Sequence, residues 1–211
     1  MRRRAVLALA GAAVGGCLDD WGGAGDAESG GDMDEGNGSD ESDAESPPFD
    51  VTTVEAPGSD AGTVSVPREE VVTFLNFTRL LCPTSEGLIG TIGDVRTELE
   101  SRYDVGPDGD VWFISVINPN FGADPSREEL AEWWDEHDGQ WAIGIDEGSS
   151  LNEYYEVGGY PTVVTLDDDG EVHWRDTGGT SSDNMITGVE RALEAESAVA
   201  DPDSDESESE S

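Results

Sequence analysis

The chain has 211 residues and carries 49 aspartates and glutamates against ten basic residues, which gives a formal net charge of -39. This charge excludes nucleic-acid binding, because phosphates would be repelled and no basic stripe is present to displace their counterions. The length allows one domain with a hydrophobic core, together with tails.

The excess of carboxylates continues through the apolar segments, and every basic residue is an arginine. This composition resembles that of proteins from salt-loving organisms such as haloarchaea. Carboxylates hold water and cations at such a surface, and molar salt screens their mutual repulsion within about 3 Å. The alternative is an acidic surface that receives a basic partner.

The first 17 residues have the pattern of an export signal. Three arginines precede a short apolar run, Ala5 to Val14, and two glycines lead to Cys17. The run is shorter than the roughly 20 residues that span a bilayer, so it predicts a signal peptide and not a transmembrane helix. The sequence VGGC resembles a lipobox, which implies a lipid on the Cys17 sulfur and a protein anchored to the outer face of the cytoplasmic membrane. The alternative is an ordinary secretory signal with an incidental cysteine.

Two segments have little to bury. Residues 18–48 and 198–211 consist mainly of glycine, serine, aspartate and glutamate, a composition that cannot repay the entropy of ordering the chain. We predict a disordered acidic tether and a disordered acidic tail at these positions. A single domain is expected to occupy residues 49–197 between them.

The first predicted elements of this domain are a strand and a helix. Residues 70–77 are almost continuously apolar or β-branched, as in a strand that is buried on both faces. Residues 85–101 carry apolar side chains at spacings of four, three and four, which predicts an amphipathic helix. That stripe consists of Leu88, Ile92, Val95 and Leu99. Cys82 therefore lies where a central strand passes into a helix, with Pro83 in the first helical turn.

The remaining elements alternate in the same way. Further strands are predicted at residues 111–117, 141–145, 162–166 and 171–175. One helix is expected to have Asp124 as its N-cap and Pro125 at its first position, and a second to cover residues 149–157. A final helix begins at Ser181 or Ser182. This order predicts an α/β fold with a central mixed β-sheet flanked by helices.

The Cys82-Pro83 junction and the late segment GGYPTVVTLDDDGEVHW, in this order of elements, resemble the thioredoxin-like superfamily. Residues 49–196 are similar to the membrane-anchored thiol-disulfide oxidoreductases of the TlpA and ResA type. The resemblance implies a thioredoxin-like fold with an N-terminal β-hairpin and a helix-strand insertion over residues 125–145. It also implies a cis peptide bond before Pro161, beside the active thiol.

The active-site sequence departs from that family. Its pattern is Cys-x-x-Cys, whereas this chain has Cys82-Pro83-Thr84-Ser85, so that no second sulfur is present to resolve a disulfide. The resemblance implies Cys82 as the catalytic nucleophile, and a thiolate is favoured at a helix N-terminus. Ser85 is expected to stabilise the sulfur by a hydrogen bond. The substrate-binding positions implied are Pro83, Thr84, Tyr160 and Pro161.

The expected activity is monothiol disulfide exchange, without a cofactor, on exported thiol or disulfide proteins or on adducts of low-molecular-weight thiols. Two other interpretations stay open. One is a redox-inactive binding module with a thioredoxin fold. The other is a peroxiredoxin-like peroxidase, since CPTSE resembles the sequence around a peroxidatic cysteine.

A copper site is not expected. The strand-to-helix junction NFTRLLCPTSE is also similar to that of the Sco copper proteins, which use two cysteines and a histidine. This chain has one cysteine at that junction, and a single thiolate is a poor site for Cu(I). We therefore predict no metal ligand.

Overall fold

The computed structural model of the chain describes residues 46–200. The predicted signal peptide with Cys17, most of the predicted tether and the end of the predicted tail lie outside this range. The elements in chain order are β1 (Phe49–Thr53), β2 (Gly62–Val66), β3 (Val72–Thr78), α1 (Pro83–Leu99), β4 (Val111–Ile117), α2 (Arg127–Glu136), β5 (Ala142–Ile145), α3 (Ser150–Tyr154), β6 (Thr162–Leu166), β7 (Val172–Thr177) and α4 (Ser182–Ala200). Across residues 46–200, no helix combines the length and the apolar character needed to cross a membrane.

The strands form one mixed sheet of seven in the order β2-β1-β5-β4-β3-β6-β7. Strands β3, β4 and β5 are parallel, while β6 runs antiparallel to β3 and pairs with β7. The β1–β2 hairpin joins the sheet through Thr52 and Thr53, which pair with β5. The predicted α/β fold with its central mixed sheet is confirmed.

The centre of the sheet is buried on both faces. Every residue of β3 and β4 is buried, as their continuous apolar sequences predict. Phe74 stacks on Phe113 within a hydrophobic cluster that includes residues of α1, α2 and α4. Leu75 and Phe77 belong to a second cluster, with residues of α3 and of the hairpin. Strand β3 is thus held from both sides, which fixes the position of the segment that follows it.

Helix α1 begins directly after Cys82, which is its N-cap, and Pro83 occupies the first turn. The predicted apolar stripe of this helix is buried in the first cluster. Gly87 and Gly90 lie on the exposed side, where an added Cβ would meet no atom within 4 Å. The helix is therefore anchored by its apolar stripe, and these two glycines serve no close packing contact.

Two helix ends differ from the prediction. The N-cap of α2 is Ser126 and not Asp124, because Ser126 and Glu129 form a capping box in which each side chain accepts a hydrogen bond from the other residue's backbone N–H. Helix α3 is shorter than predicted. It stops at Tyr154, and Glu156 adopts a left-handed φ of 48°, a conformation that ends a helix.

Candidate functional site

One edge of the sheet collects the residues predicted for the site. The parallel strands β3, β4 and β5 all end there. Strand β6 begins at the same edge, because it is antiparallel to β3 and Thr162 pairs with Phe77. The loop after β3 carries Cys82, and the loop before β6 carries Tyr160 and Pro161. The topology thus brings two segments that are distant in sequence to one edge.

Cys82 is a half-buried, free thiol at the N-terminus of α1. Burial by itself raises the pKa of Cys82, but polar donors directed at the sulfur outweigh burial and lower this pKa below its ordinary value. The strongest of these donors is the hydroxyl of Ser85, followed by the backbone N–H groups of Ser85 and Thr84 and by the Arg79 side chain. The macrodipole of the helix acts in the same direction. The site therefore favours a thiolate, which is the nucleophilic form of cysteine.

Ser85 is fully buried in the first turn of α1. Its hydroxyl makes no hydrogen bond of full geometry with any described residue, although it lies close enough to Cys82 to lower the pKa of the thiol. A buried hydroxyl without a partner costs about 1–3 kcal/mol. A thiolate is a stronger hydrogen-bond acceptor than a thiol, so ionisation of Cys82 would give this hydroxyl a better partner.

Arg79 is a cation beside the thiol that the sequence analysis missed. It is exposed, and its Cζ lies 6.0 Å from the centroid of the Tyr160 ring, which is within the range of a cation–π contact. Its aliphatic stem passes Gly122, where an added Cβ would lie 3.5 Å from Arg79 Cδ. Among residues 46–200, no carboxylate forms an ion pair with Arg79. Its charge is thus left to act on the sulfur of Cys82.

Leu81, directly before Cys82, is both strained and exposed. Its φ is 58° and its side chain is 83% exposed. The left-handed conformation costs a residue with a Cβ about 1–2 kcal/mol, and no burial offsets that cost. Phe121 is also 50% exposed, and it adjoins Gly122, the residue that packs against Arg79. Leu81 thus places an apolar side chain directly beside Cys82, and Phe121 places one beside Gly122.

The other predicted site residues take different positions around Cys82. Pro83 and Thr84 are exposed in the first turn of α1, and Thr84 directs its backbone N–H at the sulfur. Pro161 is buried at the start of β6, and the Tyr160–Pro161 peptide bond is cis, as the resemblance implied. Tyr160 contacts Arg79 through its ring.

The two histidines have partners of their own. His137 Nδ1 lies 2.8 Å from the carbonyl oxygen of Trp133, and its Nε2 lies 4.0 Å from Glu86. His173 Nε2 lies 2.7 Å from Asp167. Within the described part of the chain, no group of three or more histidine, cysteine or acidic side chains is placed to hold a metal ion.

An open groove of about 1220 Å3 lies at the edge of the sheet opposite to Cys82. Its lining includes Pro47, Glu70, Asp108 and Asp168. Its lining contains carboxylates, prolines and the hydroxyls of Thr63 and Ser65 but no cysteine or histidine, so the reactive thiol lies away from this groove.

Comparison with known proteins identifies the fold. No family model and no curated protein matches the chain. Among solved structures, StoA from Bacillus subtilis gives a TM-score of 0.55 at 17% sequence identity, covering 68% of this chain and 97% of StoA. The exposed lipoprotein thioredoxin Etrx1 from Streptococcus pneumoniae gives 0.52 at 18% identity, covering 68% of this chain and 98% of Etrx1. The fold is thioredoxin-like.

A secreted disulfide oxidoreductase from Mycobacterium tuberculosis is similar to the same thioredoxin-like domain, with a TM-score of 0.50 at 14% identity over 67% of this chain and 94% of that protein. At such identities the likeness establishes the fold.

The thioredoxin-like domain also joins residues that no sequence motif connects. The Tyr160 hydroxyl donates a hydrogen bond to Asn152 Oδ1, and Asn152 Nδ2 donates to the buried carboxylate of Asp146. Neither Asn152 nor Asp146 belongs to a pattern that indicates chemistry. The sequence did contain a signal for Arg79, because it is one of only ten basic residues and lies three positions before Cys82.

Proposed function

We propose that this protein is a monothiol thiol-disulfide oxidoreductase that acts through Cys82 on exported disulfide proteins or on adducts of low-molecular-weight thiols. The observation that carries the proposal is the set of donors around the sulfur of Cys82, which lowers the pKa of its thiol. Residues 46–200 contain no second cysteine, so the reaction must use a thiol from outside the domain.

The exchange takes two steps. The Cys82 thiolate attacks one sulfur of a substrate disulfide, a Cys82–substrate disulfide forms, and the other substrate sulfur leaves with the electron pair and takes up a proton. An external thiolate then attacks the substrate sulfur of the mixed disulfide and releases Cys82 as a thiolate. One disulfide is formed for each one broken, so the substrate sulfur is now bound to the external thiol. A second external thiolate attacks the sulfur of the first, an external disulfide forms, and the substrate sulfur leaves as a thiolate and takes up a proton.

The surrounding residues have separate roles in this proposal. Ser85 donates to the thiolate from its buried hydroxyl, and the Thr84 N–H assists it. Pro83, Tyr160 and Pro161 shape the surface on which an extended substrate lies. Leu81 supplies an exposed apolar contact beside the sulfur.

We also propose that the protein is exported and anchored by a lipid on Cys17 to the outer face of the cytoplasmic membrane. The arginine-rich start, the short apolar run and the lipobox-like VGGC support this placement. The solved structures of similar fold include a protein described as an exposed lipoprotein and one described as secreted. A disulfide-exchange activity suits such an oxidising location.

The test is the pH dependence of alkylation of Cys82, measured at molar salt on the full chain with Cys17→Ser, so that Cys82 is the only thiol. We expect an apparent pKa of about 7 or lower, as in activated cysteines. A model disulfide with a chromogenic leaving thiol should then give one equivalent of released thiol and a mixed disulfide at Cys82, detected by intact mass. The Cys82→Ser variant should give neither.

Three results would contradict the proposal. An apparent pKa at or above about 8.5, the value of an ordinary thiol, or labelling only after unfolding would leave a redox-inactive binding module. Fast loss of hydrogen peroxide with oxidation of Cys82 to a sulfenic acid, without mixed-disulfide formation, would instead indicate the peroxidase.

A further inference from the structure

A buried carboxylate lies at the same edge of the sheet as Cys82. Asp146 follows β5 directly and is 3% exposed. It accepts hydrogen bonds from the backbone N–H of Asn152 at 3.0 Å and of Leu151 at 3.4 Å, and from Asn152 Nδ2 at 3.0 Å. Within residues 46–200 it forms no ion pair. A buried anion without a cationic partner has to be satisfied by such donors.

This carboxylate fixes the orientation of Asn152. An ionised carboxylate only accepts hydrogen bonds, so the amide nitrogen of Asn152 must face Asp146 and the amide oxygen must face the other way. That oxygen meets the hydroxyl of Tyr160, which therefore donates. Burial, together with the charge of Asp146, raises the pKa of Tyr160 to about 12, so the hydroxyl keeps its proton at neutral pH.

The fixed tyrosine ring then meets Arg79. Its centroid lies 6.0 Å from Arg79 Cζ, while Gly122 bounds the aliphatic stem of the same arginine. We call Asp146, Asn152 and Tyr160 the tyrosine support. We propose that the tyrosine support is a positioning device that holds the Arg79 guanidinium beside the Cys82 sulfur. This inference rests on the proposed function, since it concerns the reactivity of Cys82.

The acidic composition of the chain explains why Arg79 needs a fixed contact. An exposed arginine has a long side chain with large conformational freedom, and this chain offers it 49 acidic residues. Without a fixed contact, the guanidinium would visit nearby carboxylates or bulk water and would leave the thiolate unpaired. The ring of Tyr160 keeps the charge near the sulfur, and a ring adds no negative charge that would oppose a thiolate.

The other ionisable groups near Cys82 are accounted for. Glu86, also in the first turn of α1, has its Oε2 atom 4.0 Å from Nε2 of His137, the C-cap of α2. From the side of β5 and α3 the buried carboxylate is Asp146, whose charge acts on Tyr160 and is not among the groups that shift the pKa of Cys82. Arg79 is thus the cation that the structure directs at the sulfur.

The test measures the pH profile of Cys82 alkylation in a double-mutant cycle, on the full chain with Cys17→Ser at molar salt. The variants are Tyr160→Phe, which keeps the ring but loses the hydroxyl, Tyr160→Leu, which loses the ring, and Arg79→Gln. Because a cation–π contact at an exposed site is weak, we expect Tyr160→Leu to lower the alkylation rate about two- to fivefold at pH values below the wild-type pKa. Tyr160→Phe should give a smaller change in the same direction. In the Arg79→Gln background both substitutions should have no further effect.

A matched control is Tyr155→Phe. Tyr155 is a buried tyrosine whose hydroxyl donates to the carbonyl oxygen of Gly170 at 3.3 Å, at the opposite edge of the sheet. Its substitution removes a similar hydrogen bond and should leave the alkylation profile unchanged. Thermal unfolding of each variant shows whether it is folded. If Tyr160→Leu does not fold, the comparison is made with Tyr160→Phe alone.

The outcomes separate this inference from the proposed function. If the wild-type pKa is low but both Tyr160 variants leave the profile unchanged, or shift it equally with and without Arg79, the tyrosine support is overturned while the proposed function stands. If the wild-type thiol titrates as an ordinary cysteine, the proposed function fails first. A rate loss that disappears in the Arg79→Gln background supports the inference.

Discussion

Replacing Ser85 by alanine should make the domain more stable at low pH and its thiol less reactive. The Ser85 hydroxyl is fully buried and lacks a full hydrogen bond, and an unsatisfied buried hydroxyl costs about 1–3 kcal/mol. The substitution removes only this oxygen from the site. At a pH where Cys82 is protonated, we therefore expect Ser85→Ala to raise the free energy of unfolding by about 1 kcal/mol.

The same substitution removes a donor from the thiolate. A hydrogen bond to a charged group contributes about 1.5–3 kcal/mol, and the lower end applies because Cys82 is only half buried and water competes. One pKa unit corresponds to about 1.4 kcal/mol. The apparent pKa of Cys82 should thus rise by about one unit in Ser85→Ala.

The pH dependence of stability gives the sign of the effect. The pKa of Cys82 is lowered in the folded state, so ionisation of the thiol stabilises the fold. This stabilisation is fully present above the pKa of the unfolded thiol, about 8.5, and is lost as the pH falls through the folded pKa. The Ser85→Ala variant has less of this stabilisation. Its advantage of about 1 kcal/mol at a pH below the folded pKa of Cys82 should therefore vanish at pH 9.5.

Chemical unfolding at molar salt at the two pH values measures this change. Thr73→Val is the matched control, because Thr73 is also fully buried with an unpartnered hydroxyl but lies at the far end of β3 from Cys82. That variant should gain stability equally at both pH values. If Ser85→Ala is destabilised at the lower pH, or behaves like Thr73→Val across the pH range, the assignment of the Ser85 hydroxyl to the thiolate is wrong.

Three further predictions concern other parts of the chain. Ser85→Cys should supply a resolving thiol one helical turn from Cys82. The mixed disulfide of this variant should disappear without added thiol, as followed by intact mass, whereas the mixed disulfide of the parent chain should persist until a thiol is added. Gly90→Ala should raise the free energy of unfolding by up to about 1 kcal/mol, since the added Cβ meets open space. Gly139→Ala should lower it by about 1–3 kcal/mol, because the added Cβ would lie 2.1 Å from Trp134 Cε2. Equal effects of the two substitutions in urea unfolding would refute the packing argument. Cys17→Ser should move the protein from the membrane fraction to the soluble exported fraction, and unchanged fractionation would contradict lipidation.

The fold could be predicted because its main signals are local. Burial follows directly from two local patterns, the continuous apolar sequence of β3 and the apolar spacing in α1. The second pattern consists of Leu88, Ile92, Val95 and Leu99. The error at α2 arose because Asp124-Pro125 and Ser126 with Glu129 are both typical helix starts. Only the capping box formed by the second pair decides between them.

The site was predicted where it lies in one segment. Cys82, Pro83 and Ser85 are consecutive or nearly so, and a strand-to-helix junction places them together. Arg79 and Tyr160 meet only because β3 and β6 are paired in the sheet, and no pattern in either segment indicates that contact. Interactions of this kind need the three-dimensional structure.

The chain enters the domain at the edge of the sheet opposite to the thiol. Pro47 and Pro48 line the groove beside Glu70 and Asp168, at the edge of the sheet opposite to Cys82. Glu196, near the end of α4, interacts with Asp168 at that same edge. Both chain ends of the domain therefore depart from one side. The chain therefore enters and leaves the described domain away from the thiol, so that an anchor attached through the N-terminal segment leaves the approach to Cys82 open.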